Sequence, residues 1–175
     1  VLAPGLESDE FADVLVSRVA FLPSVPETPS QSAKINHSEA QLTARLAAAV
    51  YRQYEASGSG FHSALTLGVI TPYRSQIALI KSEIAALGIP VLNDILVDTV
   101  ERFQGSERDV IIYSFCVNRT YQLKFLANLT EERGVWIDRK LNVALTRARK
   151  QLFMTGVPHL LRQNPIYADL LDTVL

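Results

Sequence analysis

Short apolar runs alternate with longer amphipathic segments along most of the chain. Three runs bounded by turn-forming residues are typical of strands buried on both faces: LTLGVI at 65–70, ILVDTV at 95–100 and RDVIIYSF at 108–115. SRVAFL at 17–22 and QLFMTG at 151–156 predict two further strands. The pattern therefore predicts a sheet that is built from short, buried strands.

Helical periodicity fills the intervals between these strands. Apolar residues at helical spacing predict helices at 38–56, from Pro72 to Leu87, at 138–150, and near 158–163 and 165–174. Asn36 followed by Glu39 predicts a capping box on the first of these helices, and Thr71 predicts the cap of the second. Strands that alternate with amphipathic helices imply an α/β fold, with a mostly parallel sheet and helices on both faces.

Composition excludes several classes of protein. The chain has 175 residues, of which 48% are hydrophobic, so one domain with a packed core is expected over 1–175. The net charge of −1 gives no support to a protein that coats nucleic acid. The single cysteine, Cys116, excludes an intrachain disulfide and favours a reducing, intracellular compartment, cytoplasmic or nuclear. No apolar run is long enough to span a membrane, and no metal-binding cluster stands out.

Two segments are expected to lack regular structure. Residues 23–33, PSVPETPSQSA, predict an exposed proline-rich loop within a leading segment of 1–34, and 118–136 predict a polar loop. The motifs described below all lie in the core segment, 35–175. Because the only methionine is Met154, we expect this chain to be a piece of a longer protein.

Three segments carry candidate chemistry, and ligands of such sheets bind at the carboxyl ends of the strands. TPYRSQ at 71–76 offers a hydroxyl, an aromatic ring and a helix start, which suit a phosphate backbone or a base, although a plain capped helix has the same pattern. In ERFQGSE at 101–107, Gln104 offers a donor and an acceptor, Gly105 permits a positive φ, and Glu107 can accept bonds from sugar hydroxyls. A polar turn between two strands is the alternative for this segment.

The third segment contains two arginines, Arg147 and Arg149, at the end of the predicted helix 138–150. At about 100° per residue they lie roughly 160° apart on that helix, so they cannot bind one small anion together. One of them is a candidate ligand and the other is then structural. Alternatively, both are solvated residues on the two flanks of the apolar face.

The three segments together resemble a known set of motifs. GVITPYRSQ, VDTVERFQGSERDVIIYS and RKLNVALTRAR, in this order, are similar to motifs IV, V and VI of superfamily 1 helicases of the up-frameshift, or nonsense-mediated-decay, type. INHSEA at 35–40 also resembles the segment that precedes motif IV in that family, and NPIYADLL resembles its closing helix. The resemblance covers residues 35–172.

This resemblance implies a fold, a function and a set of site residues. The fold would be a RecA-like three-layer sandwich, the second of two such domains in an ATP-dependent helicase that moves 5′ to 3′ along single-stranded DNA or RNA. Arg147 would be the arginine finger on the γ-phosphate. Glu107 would contact the ribose of ATP, and Gln104 and Gly105 would line the ATP cleft beside it. Four residues would lie along the single strand: Thr71, Pro72, Tyr73 and Thr99.

The chain lacks other parts of such an enzyme. It contains no G-x-x-x-x-G-K-S/T segment and no apolar strand that ends in an Asp-Glu pair, so the first RecA-like domain would hold the Mg²⁺ that accompanies ATP. The isolated fragment is therefore expected to bind neither cofactor alone and to be inactive. The chain also departs from the family, since Glu101 replaces a common aspartate and the arginine after motif V shifts to Arg119.

Two alternatives remain open from the sequence. The chain could be a catalytically idle RecA-like module that serves as a scaffold or a protein-interaction platform. It could also be a nucleotide-binding domain that is unrelated to nucleic acids. The sequence does not distinguish DNA from RNA.

Overall fold

Parallel strands form the central sheet in this computed structural model, which describes residues 1–27, 33–123, 129–132 and 135–175. The sheet strands in chain order are β1 (Val19–Pro23), β2 (Leu67–Ile70), β3 (Leu96–Asp98) and β4 (Arg108–Ser114), followed after a hairpin by β7 (Ala148–Gly156). Their order across the sheet is β1-β7-β4-β2-β3, and every pair is parallel. Strands β5 (Leu129–Glu132) and β6 (Val135–Asp138) form the separate antiparallel hairpin.

Helices cover both faces of this sheet. The α-helices are α1 (Ala12–Leu15), α2 (His37–Ala56), α3 (Arg74–Ala85), α4 (Arg139–Arg147), α5 (Pro158–Leu161) and α6 (Pro165–Val174), and 3₁₀ turns span Pro90–Asp94 and Val100–Phe103. Along β4, Val110 and Ile112 join the core under α2 and α3, whereas Ile111 and Tyr113 join the core under α4 and α6. This alternation gives a sheet between two helical layers and confirms the predicted α/β three-layer class.

The start of α2 shows why one prediction succeeded only in part. Asn36 caps the helix as expected, because its Oδ1 accepts a hydrogen bond from the Glu39 backbone N–H at 2.9 Å. The second half of the capping box is wrong, since the Glu39 carboxylate bonds to the Ser114 hydroxyl and the Cys116 backbone N–H instead. Tertiary packing thus takes the acid away from its own helix end.

Sheet pairing moves two predicted helix boundaries. The Thr71 N–H donates to the Asp98 carbonyl at 3.2 Å, which extends the β2–β3 pairing, so α3 begins only after Tyr73. The predicted cap at Thr71 and the first helical position at Pro72 are therefore wrong. Strand β7 begins at Ala148, directly after α4, because it pairs there with the start of β4.

The two predicted loops have different outcomes. The prediction for 118–136 is wrong at β5 and β6, and its residues 124–128 and 133–134 lie outside the described residues. Of the predicted proline-rich loop at 23–33, residues 28–32 also lie outside the described part. The prediction is wrong at Pro23, which ends β1, whereas the described residues 24–27 have no helix or strand, in agreement with it.

Candidate functional site

Arg147 ends helix α4 at the amino edge of the sheet, where the parallel strands begin. The next residue is the first of β7, so Arg147 stands at the entry of that strand. Its side chain is partly buried, and its Nε atom is buried without a hydrogen-bond partner among the residues that the structure describes. A guanidinium keeps its charge and is costly to bury unpaired. Arg147 is therefore suited to bind an anion.

The turn of residues 104–107 lies at the same edge. Strand β4 begins at Arg108 and pairs there with the start of β7, so this turn and the end of α4 are close to each other across the sheet. Gln104, Gly105 and Glu107 are all exposed. Gly105 has a φ of +71°, and a Cβ at this residue would meet no atom within 4 Å. The backbone conformation, and not close packing, therefore requires glycine here.

A small cleft of about 130 Å³ opens at the opposite, carboxyl edge, after β2 and β3. It is lined by Ile70, Thr71, Pro72, Thr99, Val100, Glu101 and Tyr113. Three of the four residues predicted for nucleic acid thus lie together. The Thr71 Oγ1 atom is buried and has no hydrogen-bond partner in the described part of the chain. The sequence did not predict that Tyr113 lines this cleft, because Tyr113 lies within an apolar strand like its neighbours.

Tyr73 is the fourth residue, and it is not part of the lining of this cleft. Its hydroxyl instead accepts a hydrogen bond from the Gln122 Nε2 atom at 3.1 Å. Burial raises the pKa of Tyr73, and the bond from Gln122 opposes that shift. The phenol therefore faces protein polar groups.

The candidate residues thus divide between two edges of the sheet. Thr71, Pro72 and Thr99 follow the carboxyl ends of β2 and β3. The turn at 104–107 and Arg147 precede β4 and β7, so these two segments do not lie at the carboxyl ends of strands, as the sequence analysis expected for them. Between residues 99 and 108 the chain runs from the carboxyl edge of the sheet to the amino edge. A domain with candidate residues on both edges can bind a different ligand on each.

Arg149 differs from Arg147 in its surroundings. It belongs to β7 and not to the predicted helix, so the predicted angle of roughly 160° between the two arginines on one helix is wrong. Its Nε donates to Asp109 Oδ1 and its Nη2 donates to the Leu65 carbonyl, both at 2.9 Å. These bonds tie the starts of β7, β4 and β2 together, which is the structural role expected for the second arginine.

Comparison with known proteins assigns the chain to a family. The sequence profile of a family described as an AAA domain, AAA_12, matches residues 11–159. The chain belongs to this family. The mouse (Mus musculus) 5′-3′ DNA helicase ZGRF1 is 33% identical over 140 residues, which cover 79% of this chain and 6% of that protein. Helicase sen1 of Schizosaccharomyces pombe is 36% identical over 110 residues, 62% of this chain and 6% of that protein.

A further relative of this AAA domain is named as an RNA enzyme. The mouse RNA helicase Mov10l1 is 36% identical over 117 residues, 63% of this chain and 9% of that protein. The family and these relatives confirm a superfamily 1 helicase domain of the up-frameshift type. The chain spans less than a tenth of the length of each of these three relatives. Their names include both a DNA helicase and an RNA helicase, so they do not distinguish the two polymers.

A buried polar network of this helicase domain was not predicted as a unit. It joins the residue before α2, the first turn of α3 and the segment after β4, through Asn36, Gln76, Asn118 and Gln122. The Gln76 side chain accepts from the Asn36 N–H at 2.8 Å and donates to the Asn36 carbonyl at 3.1 Å. Asn36 Nδ2 also donates to Asn118 Oδ1 at 2.7 Å. Asn36 lies in INHSEA and Gln76 in TPYRSQ, but neither segment indicates that the two side chains bond to each other.

Glu39 is a second buried polar group of the helicase domain. It is fully buried, and its Oε1 accepts from the Ser114 hydroxyl at 2.9 Å and from the Cys116 N–H at 3.0 Å. Burial raises the pKa of Glu39 to about 7, and these two bonds oppose the shift. The carboxyl group therefore changes charge near neutral pH.

The described ranges contain neither a candidate metal site nor a candidate membrane-spanning helix. Within them, no group of three or more His, Cys, Asp and Glu side chains is arranged to hold a metal ion. No helix in the same ranges combines the length and the apolar character that crossing a membrane requires.

Proposed function

We propose that this chain is the second motor domain of an ATP-dependent helicase. The amino edge would supply the residues of motifs V and VI to an ATP site shared with a first RecA-like domain of the same protein. The carboxyl edge would supply half of a groove for single-stranded DNA or RNA. Opening and closing of the two domains during ATP hydrolysis would then move the strand.

The observation that carries this proposal is the buried, unpartnered Nε of Arg147 beside an exposed polar turn. A guanidinium whose Nε has no described partner fits the terminal phosphate of ATP, and the exposed Glu107 carboxylate on the same edge fits ribose hydroxyls. Bound ATP and its Mg²⁺ would supply the phosphoryl group and its charge compensation, and the first domain would hold the metal. Arg147 stabilises the negative charge that develops during transfer to water.

The nucleic-acid part of the proposal rests on the cleft at the carboxyl edge. Thr71 and Thr99 offer hydroxyls beside Pro72, and the Thr71 hydroxyl is buried without a partner among described residues. These groups suit neutral hydrogen bonds to a nucleic-acid backbone or sugar. DNA and RNA both remain candidates, and the intracellular location expected from the sequence stays a prediction.

Arginine variants of the full-length protein test the ATP site. Arg147→Ala should lower the ATPase activity stimulated by single-stranded nucleic acid at least about a hundredfold, which is less than the roughly 10³–10⁵ of the best arginine fingers because other cations share the charge. Arg147→Lys should be nearly as damaging, because an ammonium lacks the planar fork of a guanidinium. The measurement is steady-state ATP hydrolysis with saturating DNA and, separately, RNA.

Arg149→Ala is the matched control for this experiment. It should keep most of the activity and lose about 1 kcal/mol of stability or less, because the pair with Asp109 is partly exposed. Equal loss of activity in both alanine variants, or full activity in Arg147→Ala, would refute the assignment. A full-length wild-type protein without stimulated ATPase activity would favour the scaffold function instead.

A further inference from the structure

The turn before β4 is closed by few backbone contacts. The Ser106 N–H donates to the Phe103 carbonyl at 3.0 Å, and Gly105 reverses the chain with its positive φ. Glu107 follows with an exposed side chain. A carboxylate on a short exposed turn gains a fixed direction only if the backbone on both sides of it is held.

Arg108 provides this second attachment. Its Nη1 donates to the Ser106 Oγ at 2.6 Å and to the Glu107 carbonyl at 2.9 Å. One guanidinium nitrogen thus holds the residue before Glu107 and the peptide unit after it. The planar guanidinium makes both bonds with little loss of side-chain freedom.

Packing fixes Arg108 in turn. It is the first residue of β4, and its guanidinium carbon lies 5.7 Å from the centre of the buried Phe103 ring. Both side chains lie over Gly68 of β2, where a Cβ would come within 2.5 Å of Phe103 Cε1 and 3.2 Å of Arg108 Cγ. The missing side chain at residue 68 therefore makes room for the Phe103–Arg108 stack.

The nearby charges do not assign Arg108 to a carboxylate. The Asp109 carboxylate accepts a hydrogen bond from Arg149 and not from Arg108. Burial lowers the pKa of Arg108, and the nearby charge of Arg149 lowers it further. An arginine remains charged in spite of such shifts. The polar contacts of Arg108 in the described structure are therefore with the turn itself.

We propose that Arg108 is a positioning residue, which holds the turn at 104–107 so that the Glu107 carboxylate points at the ribose of the bound nucleotide. The inference rests on the proposed function, since it takes the ribose contact of Glu107 from there. It adds a residue that acts through another and makes no contact with the nucleotide itself.

The test compares ATP with 2′-deoxyATP as substrates of the full-length protein. The wild type should prefer ATP. This preference is expressed as the KM for 2′-deoxyATP divided by the KM for ATP, a ratio that should exceed one. Glu107→Gln and Arg108→Gln should each lower this ratio by roughly threefold to tenfold, the range for one lost hydrogen bond. The double variant should lose no more than either single variant. Arg108→Lys should retain part of the ratio, because an ammonium can donate to both oxygens.

Arg162→Gln serves as the control, since it removes an exposed arginine whose partner is Asp172. It should leave the ratio unchanged. Hydrogen exchange of the peptide that contains the turn gives a readout independent of ATP, and Arg108→Gln should speed exchange at Ser106 while Glu107→Gln should not. The inference would be overturned if Arg108→Gln kept both the KM ratio and the hydrogen-exchange protection of the wild type. It would also be overturned if the losses in the KM ratio of the two single variants added up in the double variant.

Failure of the proposed function would look different. A wild-type protein that hydrolyses no ATP would refute the helicase function and the ribose role of Glu107. The exchange of the turn in Arg108→Gln would still decide whether Arg108 holds it, and unchanged exchange would overturn that part as well.

Discussion

At the scale of single residues, surroundings separate side chains that the sequence presents as equals. Arg147 and Arg149 differ by two positions, yet Arg149 bonds to Asp109 and Leu65 whereas the Arg147 Nε is buried without a described partner. A guanidinium with described partners stabilises the fold, and one whose buried Nε has no described partner is a candidate for an external anion. The difference arises because the chain changes from helix to strand between them.

Glu39 gives a pH prediction at this scale. Its folded pKa of about 7 lies above the ordinary 4.5, so the folded state holds the proton more tightly than the unfolded state. Stability from this group should therefore be greatest below pH 4.5, fall as the pH rises to about 7, and stay level above that. The full effect is on the order of 3 kcal/mol at most.

Urea unfolding at several pH values measures this effect. Glu39→Gln keeps an oxygen for the Ser114 and Cys116 bonds but cannot ionise, so its stability should fall less between pH 5 and pH 8 than that of the wild type (roughly 2 kcal/mol less). A variant with the same pH slope as the wild type would show that Glu39 does not titrate in this range.

At the scale of elements, Gly68 sets the distance between β2 and the 3₁₀ turn over it. The Phe103 ring occupies the space of a side chain at this position, with Cε1 only 2.5 Å from an added Cβ. A strand glycine of this kind marks close packing of another group against the strand. The position of Phe103, and with it the turn at 104–107, therefore depends on β2.

Gly68→Ala should destabilise the domain by about 1–3 kcal/mol, because the ring must shift inside a packed core. The cost should be smaller in a Phe103→Leu background, where the shorter side chain leaves room for the new methyl group. Denaturant unfolding of the two single variants and the double variant provides the coupling energy. Purely additive losses would contradict the contact between these two residues.

At the scale of the whole molecule, the sheet keeps two candidate sites apart. The edge with Arg147 and the edge with Thr71 are joined through β2, β4 and β7, which pair in parallel, with a register irregularity between Arg108 and Val110. A domain that binds one ligand on each edge and moves as a unit can couple the binding of one ligand to movement of the other. The edge with Arg147 supplies only part of the proposed ATP site, since a P-loop segment and an apolar strand that ends in an Asp-Glu pair are absent from this sequence.

The isolated chain of 175 residues should therefore show no ATPase activity. The groups that hold the β- and γ-phosphates and Mg²⁺ in P-loop enzymes do not occur in it. Phosphate release from the purified chain, with and without single-stranded DNA or RNA, is the measurement. Turnover above that of an Arg147→Ala chain purified in parallel would be incompatible with a half-site.

The sequence by itself determined the fold class, most elements and the family. Alternation of apolar runs with helical periodicity reports burial directly, so the five strands of the central sheet and α2 could be located from it, whereas β5 and β6 could not. The motif order identified a superfamily 1 helicase domain, which the family match confirms. The residue roles at Arg147, Glu107 and Thr71 stay predictions, because they depend on ligands.

Only the tertiary structure decided boundaries, edges and partners. Sheet pairing ended α4 at Arg147 and delayed α3 to Arg74, since backbone bonds to a neighbouring strand outweigh a local cap. The crossover after β3 separated the turn at 104–107 from the cleft at Thr71, and the contacts of Arg108 with that turn depend on a glycine 40 positions earlier in the chain. Such contacts join residues distant in sequence, and local patterns carry no record of them.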